Sequence, residues 1–87
     1  MAVAARKFLV EVYFPKSWID RMPVQVDRLR SATADMEAEG VSVRYVEALF
    51  VSEDETCFYV FEAASGEDVA EAGRRAGLEF QRIVRAV

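Results

Sequence analysis

The chain contains no histidine, one cysteine, two prolines and four glycines among its 87 residues. Histidine is the usual general base near neutral pH and the commonest ligand of transition metals. Its absence excludes Ser-His-Asp and Cys-His catalysis within one chain, and also zinc sites of the usual Cys/His type. The lone Cys57 forms no internal disulfide, which favours a reducing compartment. No Gly-x-Gly-x-x-Gly sequence or phosphate-binding loop is present.

Long hydrophobic runs and an excess of positive charge are also missing. No apolar run approaches the ~20 residues that a helix needs to span a bilayer, and Arg6, Lys7 and Glu11 interrupt any signal-peptide core. The net charge of −4 counts against nucleic acid and anionic membranes as partners. With 53% hydrophobic and 30% charged residues, residues 1–87 have the composition of one globular domain. We therefore expect a cytoplasmic protein with no membrane or nucleic-acid partner.

Hydrophobic periodicity predicts the order strand, helix, strand, strand, helix, strand. The predicted strands cover residues 7–14, 41–51, 56–63 and 79–87, and the predicted helices about 23–40 and 66–76. Residues 15–21 are predicted to be a loop. Pro23 fits the first turn of the first helix, Ser65 is placed to cap the second, and Gly40 and Gly77 are predicted to end them. This order is that of the ferredoxin-like βαββαβ domain, an α+β fold with two helices on one face of an antiparallel four-stranded sheet.

The second and third predicted strands, residues 41–51 and 56–63, are apolar on both of their faces. In residues 56–63, for example, Phe58 and Val60 oppose Tyr59 and Phe61. A small sheet that is covered on one side only should have polar residues on the other. We therefore expect helices on one face and a second subunit or a ligand on the other, so that the protein is a homodimer.

Five polar or amphipathic side chains interrupt these apolar strands and are the candidate ligand-binding residues. They are Glu11, Tyr13, Tyr45, Glu47 and Tyr59. Unbroken alternation places Glu11 with Tyr13, and Tyr45 with Glu47. If the three strand faces belong to one side of the sheet, all five line the surface away from the helices.

Two functions remain open on this pattern. We favour a non-enzymatic homodimer that binds a small hydrophobic ligand or a metal at or near its interface, where the two carboxylates pair with Arg44 or Arg82. The alternative is a small cofactor-independent enzyme of the dimeric α+β barrel type that acts on a hydrophobic substrate. Glu11 or Glu47 would then be the acid or base, and Tyr45 or Tyr59 would orient the substrate.

Several segments resemble small DUF4242-type proteins, some of which are called nickel-binding or nickel-responsive. The likeness lies in residues 7–11, 43–51 and 56–63. It is clearest in residues 75–84, which are similar to that family's closing alanine-glycine-leucine-proline-x-x-x-isoleucine signature. The resemblance implies a ferredoxin-like fold and a dimer.

The resemblance also implies where a metal would bind, and there this chain departs from the pattern. Family members have a histidine just before the alanine-glycine pair, where this chain has Ala72, and many have another near the position of Glu47. The oxygen and sulfur ligands that remain (Glu11, Tyr13, Glu47 and Cys57) are a poor set for nickel compared with imidazole. We therefore expect nickel and zinc to bind weakly or not at all, and assign no metal ligand and no cofactor.

Overall fold

A four-stranded antiparallel sheet backed by two helices forms the protein in the computed structural model, which describes residues 5–86. The elements are β1 (Arg6–Tyr13), the 3₁₀ helix η1 (Lys16–Arg21), α1 (Met22–Ala38), β2 (Val43–Val51), the 3₁₀ helix η2 (Ser52–Asp54), β3 (Thr56–Ala63), α2 (Gly66–Arg75) and β4 (Arg82–Ala86). The strand order is β2-β3-β1-β4, and each neighbouring pair is antiparallel. This topology confirms the predicted ferredoxin-like α+β fold.

Both helices lie within one or two residues of their predicted ranges. Pro23 lies in the first turn of α1, where its missing N–H costs no hydrogen bond. The Ser65 hydroxyl caps α2 by accepting the N–H of Asp68 at 3.3 Å. Gly40 and Gly77 follow the two helices with φ angles of 90° and 72°, a left-handed backbone that favours glycine.

The hydrophobic core lies between the two helices and one face of the sheet. Its largest fully buried side chains are Tyr59, Phe61, Leu29, Met36, Val10, Val43, Val69 and Cys57. Burial raises the pKa of the Cys57 thiol, which agrees with a structural role for this residue. Gly73 lets the ring of Phe80 pack closely against α2, because a Cβ atom at residue 73 would lie 3.0 Å from that ring.

Besides shifts of one or two residues at other element ends, two differences from the sequence prediction bear on the candidate site. The predicted loop at residues 15–21 contains η1, and its Trp18 meets the ring of Phe14 edge to face at 6.1 Å. The last strand begins at Arg82, not at residue 79, because the preceding residues cross from α2 to the sheet. The N–H of Gln81 ends this crossing by donating to the carbonyl of Glu11 at 2.8 Å. Residue 87 of the predicted strand lies outside the described residues.

Strand β2 has one residue more than the part of β3 with which it pairs. Tyr45 lies opposite Phe61 and Glu47 opposite Val60, so Val46 is the extra residue of a β-bulge. A bulge shifts the side-chain alternation by one residue. The predicted unbroken alternation through β2 is therefore wrong, and Tyr45 and Glu47 lie on different faces of the sheet.

Candidate functional site

The face of the sheet away from the helices, here called the open face, has an apolar centre. Strand pairing brings together Leu9, Leu49, Phe58, Val60 and Val84. In the single subunit Leu49 is 49% exposed and Val84 is 37% exposed. Val60, which lies between these two residues, is only 3% exposed. Apolar residues that gather on one face and are exposed at its edges indicate a site of interaction.

Ion pairs border this apolar centre. On one side Arg82 Nε donates to Glu11 Oε2 at 2.9 Å, as one interpretation of the sequence predicted. On the other side Arg44 pairs with Glu62 across β2 and β3. Glu47 is exposed, and it forms no ion pair with any residue that the structure describes.

Tyr45 and Tyr59 lie on the covered side of the sheet, so the expected common face of the five candidates is wrong. Both are buried, with 8% and 0% exposure, and their ring centroids are 6.5 Å apart. The bulge at Val46 turns Tyr45 toward the helices, and Tyr59 pairs with the core residue Val10. Burial raises the pKa of Tyr59, and its buried hydroxyl has no hydrogen-bond partner among the described residues.

Three of the five candidates share the open face, namely Glu11, Tyr13 and Glu47. Glu11 lies beside Phe58, and Glu47 lies beside Val60. Tyr13 lies at the end of β1 and is 53% exposed. The role of these residues in binding a ligand remains a prediction.

Tyr13 also lines a pocket of about 310 Å³ at the end of β1. Its other walls include Phe14, Trp18, Gln25, Glu79 and Gln81. This pocket is not predicted by the sequence, because the residues of η1 have the pattern of a loop and the segment before β4 that of a strand. The feature of the sequence that could have indicated the pocket is the aromatic pair at residues 13 and 14, which the only tryptophan in the chain follows closely.

Two further depressions lie on the helical side of the protein. One, of about 330 Å³, lies along α1 beside Arg75, and the other, of about 390 Å³, lies beside Arg30 and Tyr45. Neither of these, nor the pocket at the end of β1, includes Glu11 or Glu47. Within residues 5–86 no group of three histidine, cysteine or acidic side chains is placed to hold a metal ion. None of the helices in that range is long and apolar enough to cross a bilayer.

The topology and the open face define this chain as a small ferredoxin-like α+β protein. A sequence profile of the nickel responsive protein SCO4226-like family matches residues 8–85. The chain therefore belongs to that family, which confirms the resemblance to nickel-responsive proteins. No curated protein matches the chain.

A solved structure supports the fold. The crystal structure of SCO4226 from Streptomyces coelicolor A3(2) matches with a TM-score of 0.76, covering 92% of this chain and 94% of that chain at 17% identity. At this identity the likeness shows the shared fold.

The family description points to nickel, but the side chains of this subunit do not fit a nickel site. The chain has no imidazole to offer, and nickel in proteins favours nitrogen ligands over carboxylate. Cys57 is buried in the core, and the Glu11 carboxylate is engaged by Arg82. That nickel and zinc bind weakly or not at all remains a prediction.

Proposed function

We propose that this chain works as a cytoplasmic homodimer whose two open faces pack together, and that a small hydrophobic ligand binds at or near their interface. The observation that carries the proposal is the apolar centre of the open face, whose edge residues Leu49 and Val84 are exposed. An 87-residue chain buries only ~60–65% of its unfolded surface when alone. Pairing the open faces would add to the apolar surface that folding buries.

The open face is of the same order of size as a stable interface. Four strands about 4.8 Å apart and about 25 Å long give a flat footprint of roughly 500 Å². The relief of the side chains increases the accessible area beyond this footprint. Stable complexes bury about 800 Å² on each partner, and the open face is of that order.

The charges of the open face also fit pairing with a second copy. Two subunits related by a two-fold axis present the same surface to each other, so each must supply both signs of charge. Glu11 with Arg82, and Arg44 with Glu62, provide both signs beside the apolar centre. Glu47 has no ionic partner within the described residues of its own subunit, and an arginine of the second subunit would supply one.

The enzyme of the dimeric α+β barrel type is the alternative function. It requires a carboxylate that faces an enclosed apolar cavity. Arg82 holds the Glu11 carboxylate, and the three pockets described above include neither Glu11 nor Glu47. The geometry of the subunit therefore supports the binding protein better.

A charge placed in the open face tests the dimer. We expect Leu49→Lys to raise the dissociation constant of the dimer at least about 30-fold, because each interface would then bury an ammonium group among apolar side chains. Val24→Lys is the matched control, since Val24 is similarly exposed (52%) but lies on α1. Sedimentation velocity at high micromolar concentration should show dimers of the wild type and Val24→Lys, and monomers of Leu49→Lys. A monomeric wild type would overturn the proposal.

Titration with Ni²⁺ tests the prediction about metals. Protein purified without a metal-affinity step should show no calorimetric binding tighter than about 1 µM, which corresponds to about 8 kcal/mol. Native mass spectrometry of the same sample reports subunit number and any retained ligand. A submicromolar nickel site that Glu47→Gln abolishes would contradict the prediction and show that oxygen ligands suffice.

A further inference from the structure

We propose that the pocket at the end of β1 binds a small organic cation with an aromatic or apolar body. The rings of Tyr13 and Trp18 would contact the cation, and the carboxylate of Glu79 would supply the opposite charge. The pocket volume of about 310 Å³ lies at the lower end of the ~300–1,000 Å³ range of small-molecule sites. This site lies outside the apolar centre of the open face and does not depend on the proposed function.

The aromatic walls of the pocket suit a cation. Trp18 meets the ring of Tyr13 at 6.2 Å and 66°, and that of Phe14 at 6.1 Å and 84°. The negative faces of aromatic rings attract cations, and tryptophan does so most strongly. The ring of Trp18 already contacts one cation of the protein, because the guanidinium carbon of Arg21 lies 4.6 Å from its centroid. Arg21 is not part of the pocket lining.

The charge of the pocket selects the same class of ligand. Glu79 is the only charged residue in its lining, and it forms no ion pair with the rest of residues 5–86. The remaining polar walls are the neutral amides of Gln25 and Gln81. A guanidinium nitrogen of Arg28 lies close to Gly77 of the lining. Glu79 is nevertheless the charge that lines the pocket itself, and it would attract a cation.

Hydrogen bonds hold the walls of the pocket in place. The side chain of Gln81 accepts the N–H of Tyr13 and fixes the segment that carries Glu79 to the end of β1. Glu55 holds the other side, because its carbonyl accepts the N–H of Phe14 at 2.7 Å and its carboxylate accepts the N–H of Lys16 at 2.8 Å. A pocket formed before the ligand arrives loses less affinity to the ordering of its walls.

The fluorescence of Trp18 gives a direct test, because it is the only tryptophan in the chain. The probes are phenethylammonium, neutral 2-phenylethanol and anionic 3-phenylpropionate, which share a phenyl ring and a short chain. We expect a saturable change with phenethylammonium and a dissociation constant of about 0.1–1 mM, typical of a ligand of this size. The neutral probe should bind at least about threefold more weakly, and the anionic probe more weakly still.

Substituting two exposed glutamates in turn shows whether the charge of Glu79 causes the preference for a cation. Glu79→Gln should raise the dissociation constant of phenethylammonium about threefold or more. Glu67→Gln changes the net charge equally at the start of α2, outside the pocket, and should leave binding unchanged. Circular dichroism checks that both variants are folded.

Three results would overturn the proposal. They are no saturable fluorescence change up to about 20 mM phenethylammonium, equal binding of the anionic probe, and wild-type affinity in Glu79→Gln. Sedimentation of the same samples keeps this test apart from the dimer test. Binding by a monomeric protein would support the pocket while overturning the proposed function.

Discussion

The two faces of the sheet carry similar apolar side chains but have different surroundings. On β3, Phe61 points to the helices and is fully buried, whereas Phe58 points to the open face and is only half-buried. Helix residues such as Leu29, Met36 and Val69 cover the first face. The apolar residues of the second face, such as Leu9, Phe58 and Val84, are not part of this core. The apolar side chains of a strand thus show that both faces avoid water, and the packing of the helices shows which one the subunit itself covers.

The two faces also differ in their polar and charged residues. The buried polar or charged residues of the described chain consist of Thr33 alone, whose hydroxyl donates to the carbonyl of Leu29 at 3.1 Å. The open face instead has ion pairs beside its apolar centre, such as Glu11 with Arg82. An apolar centre with a polar rim is the usual composition of a protein interface.

The largest expected effect comes from substituting the two phenylalanines that lie on opposite faces of β3. Phe61→Ala should lower the free energy of unfolding by about 3–5 kcal/mol, because it leaves a cavity in the core. Phe58→Ala should cost less within the subunit, where its ring is only half-buried, and should also remove about 2 kcal/mol of the stabilisation that comes from the dimer. Urea unfolding at two protein concentrations separates the cases, since only the dimer contribution depends on concentration.

This comparison fails if the two variants behave alike. Equal losses of stability at both protein concentrations would mean that the two faces of β3 are covered within one subunit. No loss in Phe61→Ala would mean that the core is not where the structure has it. Either result would remove the distinction between the covered and the open face.

The fold was predictable from local signals that do not depend on distant contacts. The alternation in β1, Pro23 at the start of α1 and the cap at Ser65 mark the element ends correctly. Gly40 and Gly77 mark the ends of the helices because few other residues adopt a positive φ. These signals are enough to give the order of the elements, and the order selects the topology.

The candidate site was less predictable, because one residue changes the faces of β2. The bulge residue Val46 is β-branched and looks like an ordinary strand residue, and no glycine or proline marks the position. The sequence pattern therefore predicts unbroken side-chain alternation through Val46, which places Tyr45 and Glu47 on the same face of the sheet. The pocket at the end of β1 was missed for a different reason: Trp18 and Glu79 are distant in sequence, and only the fold brings them together.

A smaller effect is expected from the hydroxyl of Tyr59, which is buried without a hydrogen-bond partner. Leaving a buried hydroxyl unsatisfied costs free energy, so Tyr59→Phe should leave the protein as stable as the wild type or more stable by up to about 1 kcal/mol. Tyr45→Phe serves as the control, because it keeps the ring that contacts Arg30. Thermal and urea unfolding would measure both variants. A loss of more than about 1 kcal/mol in Tyr59→Phe would mean that the hydroxyl has a partner.

The smallest expected effect concerns Arg75, which joins the two helices on the covered side. Its guanidinium donates to both oxygens of Glu39 at 2.7 and 2.8 Å, and to Glu71 at 2.9 Å. Hydrogen bonds from Arg75, aided at Glu71 by Arg74, hold the pKa values of both carboxyls below their ordinary value of 4.5. All these groups are exposed, so solvent and salt screen the interaction.

The pH dependence of stability shows whether charge explains the contribution of Arg75. A carboxyl whose pKa is lower in the folded than in the unfolded chain stabilises the fold above about pH 4.5, and this contribution is lost as the pH falls through the folded pKa. Arg75→Gln should therefore be less stable than the wild type at neutral pH, and the difference should shrink below about pH 4. Arg28→Gln, a charge-matched control on α1 without an ion pair to the described residues, should show a smaller pH dependence. A difference that persists unchanged in acid would mean that Arg75 stabilises the helices through the packing of its aliphatic stem.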